Sequence, residues 1–162
     1  MKVSKRQAKE LGLVTPPKEK RKRVRGVKPP TPPKVLPSTG TAERVTLPIP
    51  PSANHLYPTN RQGRRYMSGE YHDWREACHP TIRTMRAAQR YPVVVHIRLT
   101  GQVRNMGRDV ANLEKATTDS LVSCGVLIDD KLKYVRGVYP HYEPDDGPER
   151  IEVWFVEPES VG

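Results

Sequence analysis

A chain of 162 residues with a formal net charge of +10 has room for one domain of ordinary size and a tail. The charge is uneven: residues 1–40 hold 12 Lys and Arg against 2 Asp and Glu, whereas residues 41–162 hold 16 of each. No apolar run approaches the ~18 residues of a membrane span. The basic N-terminus also lacks the apolar stretch of a secretory signal, so a cytoplasmic protein with no membrane partner is expected.

Residues 1–40 carry seven of the 17 prolines, including Pro16-Pro17, Pro29-Pro30 and Pro32-Pro33. Few apolar residues and high like charge do not offset the entropy of ordering, which predicts a disordered basic tail. A short amphipathic helix fits Ser4–Leu11, with Gly12 past its end. The run Lys18-Glu19-Lys20-Arg21-Lys22-Arg23-Val24-Arg25 has the composition of an arm that binds polyanions. The domain proper is expected over residues 41–162.

Within it, Arg44–Ile49 reads as a first strand, closed by Pro48, Pro50 and Pro51. A turn-rich stretch from Pro51 to Pro58 and a polar loop through Arg61, Arg64 and Arg65 follow. Ser68 is placed to cap a helix with Tyr71, Trp74, Cys78, Ile82 and Met85 at helical spacing, running to about Ala88 with Pro80 kinking or dividing it. Tyr91–Leu99 is a central strand. Asp109 is a good N-cap for a second helix to about Ser123, with Val110, Leu113, Leu121 and Cys124 in its buried stripe and Gly125 ending it. Strands are expected at Lys133–Tyr139 and Arg150–Val156. The order β-α-β-α-β-β implies an α+β domain, a small mixed sheet with two main helices on one side.

Cys78 and Cys124 have no metal-ligand neighbours in sequence and read as free thiols. Trp74, Trp154 and Phe155 read as core. His55 is a candidate for approaching nucleic acid, while His72, His79, His96 and His141 are scattered and make no zinc pattern.

The chemistry gathers elsewhere. Asp109, Asn112, Lys115 and Asp119 recur at steps of three, three and four, which places them on one helical face opposite the apolar stripe. Asp129-Asp130 follow after Gly125. Carboxylates crowded this way are tolerated when a hard divalent cation neutralises them, and a lysine beside them can stabilise charge on a phosphate. Arg64, Arg65, Arg104, Arg108, Lys131 and Lys133 are basic residues of the kind that engage phosphate groups.

The stretch Arg108-Asp109-Val110-Ala111-Asn112, with Lys115, Asp119, Gly125 and Asp129-Asp130, resembles the RusA-like Holliday junction resolvases of phages and prophages. The resemblance extends to Pro51-Ser52-Ala53-Asn54 with Leu56-Tyr57, and to Tyr71 and Trp74, covering roughly residues 44–156. It implies a homodimeric endonuclease, Mg²⁺-dependent with Mn²⁺ able to substitute, that nicks four-way DNA junctions and needs no small-molecule cofactor. It further implies that Asp109 and Asp130 hold the metal, with Asp129 a further candidate ligand, and that Lys115 is needed for cleavage. Asn54, Asn112 and Asp119 would support the site. The family's remaining metal-site aspartate falls on Ala111. That residue is either a deliberate replacement that traps an uncut junction or a natural loss partly offset by Asp129 or Asp119; the intact neighbouring motif favours the first.

Impaired cleavage with retained junction binding is therefore expected. The competing readings are a non-catalytic protein that binds DNA junctions with the same fold, and a basic RNA-binding protein of the ribosomal type. The acidic cluster argues against the latter.

Overall fold

The computed structural model describes residues 36–159, so the readings made for residues 1–35 lie outside the described residues. Six main elements follow in order: β1 (Arg44–Leu47), α1 (Gly69–Ile82), β2 (Val93–Thr100), α2 (Glu114–Ser123), β3 (Val135–Tyr142) and β4 (Arg150–Val156). Single turns of 3₁₀ helix lie at Ala53–His55 and Val110–Leu113. The strands form one sheet in the order β1-β4-β2-β3, with β2 and β3 parallel and the other pairs antiparallel. This is the expected α+β architecture with a mixed sheet.

Alternation along the strands decides which face is covered. In β2, Val93, Val95, Ile97 and Leu99 are buried while Val94, His96 and Arg98 between them are not; β4 alternates in the same way. The buried set joins Tyr71, Trp74, Cys78 and Ile82 of α1 and Ala116 and Leu121 of α2 in one hydrophobic core. Both helices therefore lie against the same side of the sheet, and the opposite side carries the residues left between the buried ones.

Three boundaries differ from expectation. Helix α1 starts as read, with the Ser68 hydroxyl accepting from Tyr71 N at 3.2 Å, but it ends at Ile82, two residues after Pro80. The residues beyond turn away and pair with the segment before β1. Ser38 Oγ donates to Arg83 O at 2.8 Å and Met85 O at 2.7 Å, and Arg86 N donates to Ala42 O at 3.0 Å. Met85 is fully buried at this junction, so its apolar character reflects tertiary packing rather than helix continuation.

The second helix also divides. Asp109 does cap, its Oδ1 accepting from Ala111 N at 3.0 Å, but the turn it starts is 3₁₀ through Leu113, and the α-helix begins at Glu114. A 3₁₀ turn winds more tightly than an α-turn, so Asp109 and Asn112 leave the face that Lys115 and Asp119 share. Strand β3 begins at Val135 rather than Lys133, because Tyr134 N and Val135 N both close onto Lys131 O, at 2.7 and 2.9 Å.

Gly125 ends α2 with φ +76°, and an added Cβ would lie 1.9 Å from Leu36 O. The glycine thus serves both the helix end and the close passage of the chain before β1, whose Ser38 N donates to Gly125 O at 2.9 Å.

Candidate active site

Two neighbouring clefts flank the start of α2. The larger, of about 470 Å³, is lined by Ser52 and His55 from the turn after β1, by Arg108, Asp109 and Asn112, and by Glu70 of α1. The smaller, of about 240 Å³, is lined by Ala111, Glu114, Lys115 and Thr118 along one side, by Asp130 after the helix, and by Val138 of β3.

Lys115 is the electrostatic centre of the smaller cleft. Its Nζ donates to Asp119 Oδ1 at 2.6 Å, one turn further along the helix, and stands 3.7 Å from Asp130 Oδ2. The hydrogen bond to Asp119 raises the lysine pKa; burial opposes this, and the charges of Asp119 and Asp130 reinforce it. The ammonium is therefore held protonated against two carboxylates, a geometry suited to meeting a phosphate oxygen.

The neighbouring turn arranges a second charge pair. Asp130 N donates to Asp129 Oδ1 at 2.8 Å, and Lys131 Nζ pairs with Asp129 Oδ2. Lys131 is the first cause of the lowered Asp129 pKa. Asp129 is thus turned toward Lys131, while Asp130 is the member of the pair that lines the cleft.

Of the acidic residues singled out in the sequence, the structure brings Asp119 and Asp130 together around Lys115, while Asp109 opens on the larger cleft. Among the described residues, no group of three or more His, Cys, Asp and Glu side chains is placed to hold a metal ion. The carboxylates fit a hard divalent cation in kind but not in number. Ala111 lines the same cleft as Asp130 and offers no oxygen donor, and the residues present do not complete a metal centre.

The wall also holds a carboxylate that sequence reasoning passed over. Glu114 lies three residues after Ala111 and lines the same cleft. The i,i+3 relation was the available signal. Thr118 and Val138 were missed as well, Val138 because only strand pairing brings β3 under α2.

The basic residues divide into two groups. Arg108 stands 3.8 Å from Glu149, and Lys131 is held by Asp129. Arg64 and Arg65 are exposed beside a turn in which Asn60 Oδ1 accepts from Gln62 N and Arg64 N, each at 2.9 Å. Arg104 is exposed on a cleft with Asp146 and Glu149, and the Lys133 ammonium lies 5.4 Å from the Tyr134 ring centre. Asn54 is exposed in the 3₁₀ turn, with no side-chain hydrogen bond among the described residues; its neighbours Ser52 and His55 face the cleft instead.

Cys78 and Cys124 are buried free thiols, and burial pushes the Cys78 thiol up to about 11. Trp74 and Phe155 are core as expected. Trp154 is not: it lies on the helix-free side of the sheet, its ring 5.1 Å from that of His96 and 6.0 Å from that of His141. Two histidines distant in sequence thus meet across one tryptophan.

Residues 48–154 match the family described as endodeoxyribonuclease RusA. The crossover junction endodeoxyribonuclease RusA of Escherichia coli O139:H28 (strain E24377A / ETEC) is 35% identical over 89 residues, 54% of this chain and 73% of that protein. The proteins of the same name from Escherichia coli strain K12 and from Enterobacteria phage 82 are each 34% identical over 87 residues, 53% of this chain and 72% of theirs. The matched span contains both clefts, both helices, strands β2 and β3, and β4 as far as Trp154, and it begins just after β1. This chain belongs to the RusA family of endodeoxyribonucleases.

Proposed function

We propose that this protein recognises four-way DNA junctions as a homodimer and is built to nick them in recombination, repair or phage DNA processing, with cleavage weakened by Ala111. The observation that carries the reading is the cleft in which Lys115 and Asp130 face the Ala111 methyl group. A lysine held charged against two carboxylates is the donor a phosphodiester needs beside the scissile bond. Mg²⁺, with Mn²⁺ substituting, is the cofactor family membership suggests. Asp109 and Asp130, with Asp129 as a further candidate, are the ligands the family resemblance suggests, although Asp109 and Asp130 open on different clefts and Asp129 is paired with Lys131.

The chain's own residues still supply substrate binding. Exposed Arg64, Arg65 and Arg104 engage phosphates, joined by Lys133 and by Arg108 and Lys131 once their acidic partners yield. The basic N-terminal arm of residues 1–40 adds attraction that is independent of sequence. Asn112 on the larger cleft and Asp119 behind Lys115 act in support, and the bacterial cytoplasm is the proposed location.

A second reading, a junction-binding protein that retains the fold without the chemistry, is favoured by the incomplete carboxylate set. One comparison separates them: cutting of a synthetic four-way junction in Mg²⁺ by this chain and by its Ala111→Asp form. Cleavage that appears or rises sharply with the aspartate supports the nuclease reading. Absence of cleavage by both forms, with junction binding intact, supports the second.

A further inference from the structure

Five arginines among the described residues are half-buried. Four of them end on carboxylates: Arg86 on Glu157 at 2.9 Å, Arg98 on Glu152 at 2.6 Å, Arg108 on Glu149 at 3.8 Å and Arg150 on Asp145 at 2.6 Å. Arg75 of α1 is the exception. Its Nε donates to His79 Nε2 at 3.3 Å, its Nη2 to Ser123 Oγ at 3.2 Å and its Nη1 to Met67 Sδ at 3.7 Å. All three acceptors are neutral, since His79 Nε2 accepts only when the ring carries its single proton on Nδ1. A guanidinium has five N–H donors, so three bonds leave two of them unused.

The charges around Arg75 are gathered rather than offset. Arg75, His79 and Arg83 follow at steps of four, one stripe along α1 and its C-cap. That stripe is turned towards the end of α2, where Ser123 meets Arg75 and the Cys124 thiol donates to His79 O at 3.9 Å. Burial holds the His79 pKa below its ordinary value, and Arg75 and Arg83 reinforce this against Glu76. Both guanidinium groups therefore bear on one imidazole. Neither nearby acid offsets them: Lys115 already holds Asp119 at 2.6 Å, and Glu76 follows Arg75 directly, where successive helical side chains point apart.

A half-buried cation fixed on neutral acceptors, with a second guanidinium two turns on, suits an anion that offers several oxygens. The other four half-buried arginines have such a partner within the chain. We propose that the groove between α1 and the end of α2, at Arg75, His79 and Arg83, is a site for a phosphate group. The unused N–H groups of Arg75 take its oxygens, the Nδ1–H of His79 is a further donor, and Arg83 adds the second charge. Ser123 keeps the Arg75 fork in place.

Two sources share this chemistry. Ser123 lies eight residues beyond Lys115 on α2, which sets the site about 12 Å along the helix from the smaller cleft. At about 3.4 Å per phosphate of one strand, a DNA backbone meeting Lys115 would bring its third or fourth neighbouring phosphate to Arg75. This source rests on the reading of the protein as one that binds junctions. Free phosphate is the other source, and it does not.

The first arm of the test is thermal unfolding of the full chain in about 50 mM inorganic phosphate, against chloride of equal ionic strength. A ligand raises the melting temperature only through sites that the unfolded chain lacks, which discounts general attraction to a net charge of +10. The natural chain is expected to gain about 3 °C or more. Arg75→Gln should lose the gain, and Arg83→Gln, at an exposed position where the fold tolerates it, should at least halve it. The second arm is binding of a four-way junction by the same three forms at increasing salt. A backbone source lowers the slope of log K against log salt by about 0.9 in each variant, whereas a free-phosphate source leaves the slope unchanged while the thermal gain holds. No gain over chloride in the natural chain, or a gain that both variants keep, overturns the site whatever the junction result. A natural chain that gains in phosphate yet binds no junction counts against the nuclease reading and leaves the site standing.

Discussion

Lys115 and Asp130 approach to 3.7 Å although fifteen positions and the end of α2 separate them, and Gly125 makes the approach possible. The helix delivers the lysine, the left-handed glycine reverses the chain, and the loop returns the carboxylate to the helix side. The pair closes one wall of the smaller cleft, and Ala111 sits on the same lining.

Ala111→Asp should raise Mg²⁺-dependent cutting of a four-way junction by about 100-fold or more, equivalent to about 2.7 kcal/mol of barrier. The Asp109 cap on Ala111 N is a backbone contact and survives the change. Quenched-flow or gel assays at saturating enzyme read the rate, and a change below threefold would remove Ala111 from the explanation.

Asp119→Asn should separate stability from activity. The Lys115–Asp119 pair is an i,i+4 contact at a half-exposed lysine, so its loss should cost about 0.5 kcal/mol in denaturant unfolding. It also removes the first cause of the raised lysine pKa. In the Ala111→Asp background, cleavage should fall at least tenfold, with the alkaline limb of the pH–rate profile moving to lower pH. Equal small losses in both measurements would mean the pair is only structural.

Gly125→Ala should destabilise the domain by more than about 2 kcal/mol. The positive φ strains any other residue, and the added Cβ meets Leu36 O at 1.9 Å. Urea unfolding measures it, and a variant within 0.5 kcal/mol, on the order of surface changes, would contradict the geometry.

Stability should fall in two stages on acidification. Burial lowers the pKa of His79, reinforced by Arg75 and Arg83, and burial followed by the neighbouring His141 lowers that of His96. Both fold as neutral rings, so their contribution is complete above the unfolded value near 6.5 and is lost as pH falls through their lower folded values. Glu157 follows: burial alone would raise its pKa, but Gln89 N and Arg86 outweigh it and the net shift is down. Its contribution is complete above the unfolded value near 4.3 and is lost as pH falls through the folded one. Glu157→Gln should cost about 2 kcal/mol at pH 7 and flatten the melting-temperature curve below about pH 4.5.

Removing residues 1–33 should lower the salt dependence of junction binding without abolishing preference for branched over linear DNA. Each lost phosphate contact takes about 0.9 from the slope of log K against log salt. An unchanged slope in titrations from about 50 to 200 mM salt would take the arm out of the interaction.

Much of this architecture was legible in local pattern. Ser68, the alternation of Val93 to Leu99, and Gly125 announced their roles because capping, pleating and left-handed turns are decided by neighbours in sequence. What escaped was set by partners far along the chain. The stop of α1 at Ile82 depends on Ser38 and Ala42. The 3₁₀ turn at Val110–Leu113 moved Asp109 off the shared helical face and into another cleft. Trp154 read as core because its strand is apolar, yet its register with His96 and Arg44 puts it outside. The acidic motif pointed to the start of α2, where both clefts open; which carboxylates meet was decided by how tightly one turn winds.

Strand β3 holds two adjacent residues with opposite duties. Val138 looks into the cleft with Lys115 and Asp130, and Tyr139 looks out from the other side, stacked on the His96 ring. One peptide unit thus separates the lining of the smaller cleft from the stacked rings on the far side of the sheet. A shift of β3 by a single residue along β2 would therefore exchange the two, turning the valine out and the ring in, so the cleft lining and the stacked row stand or fall with one register.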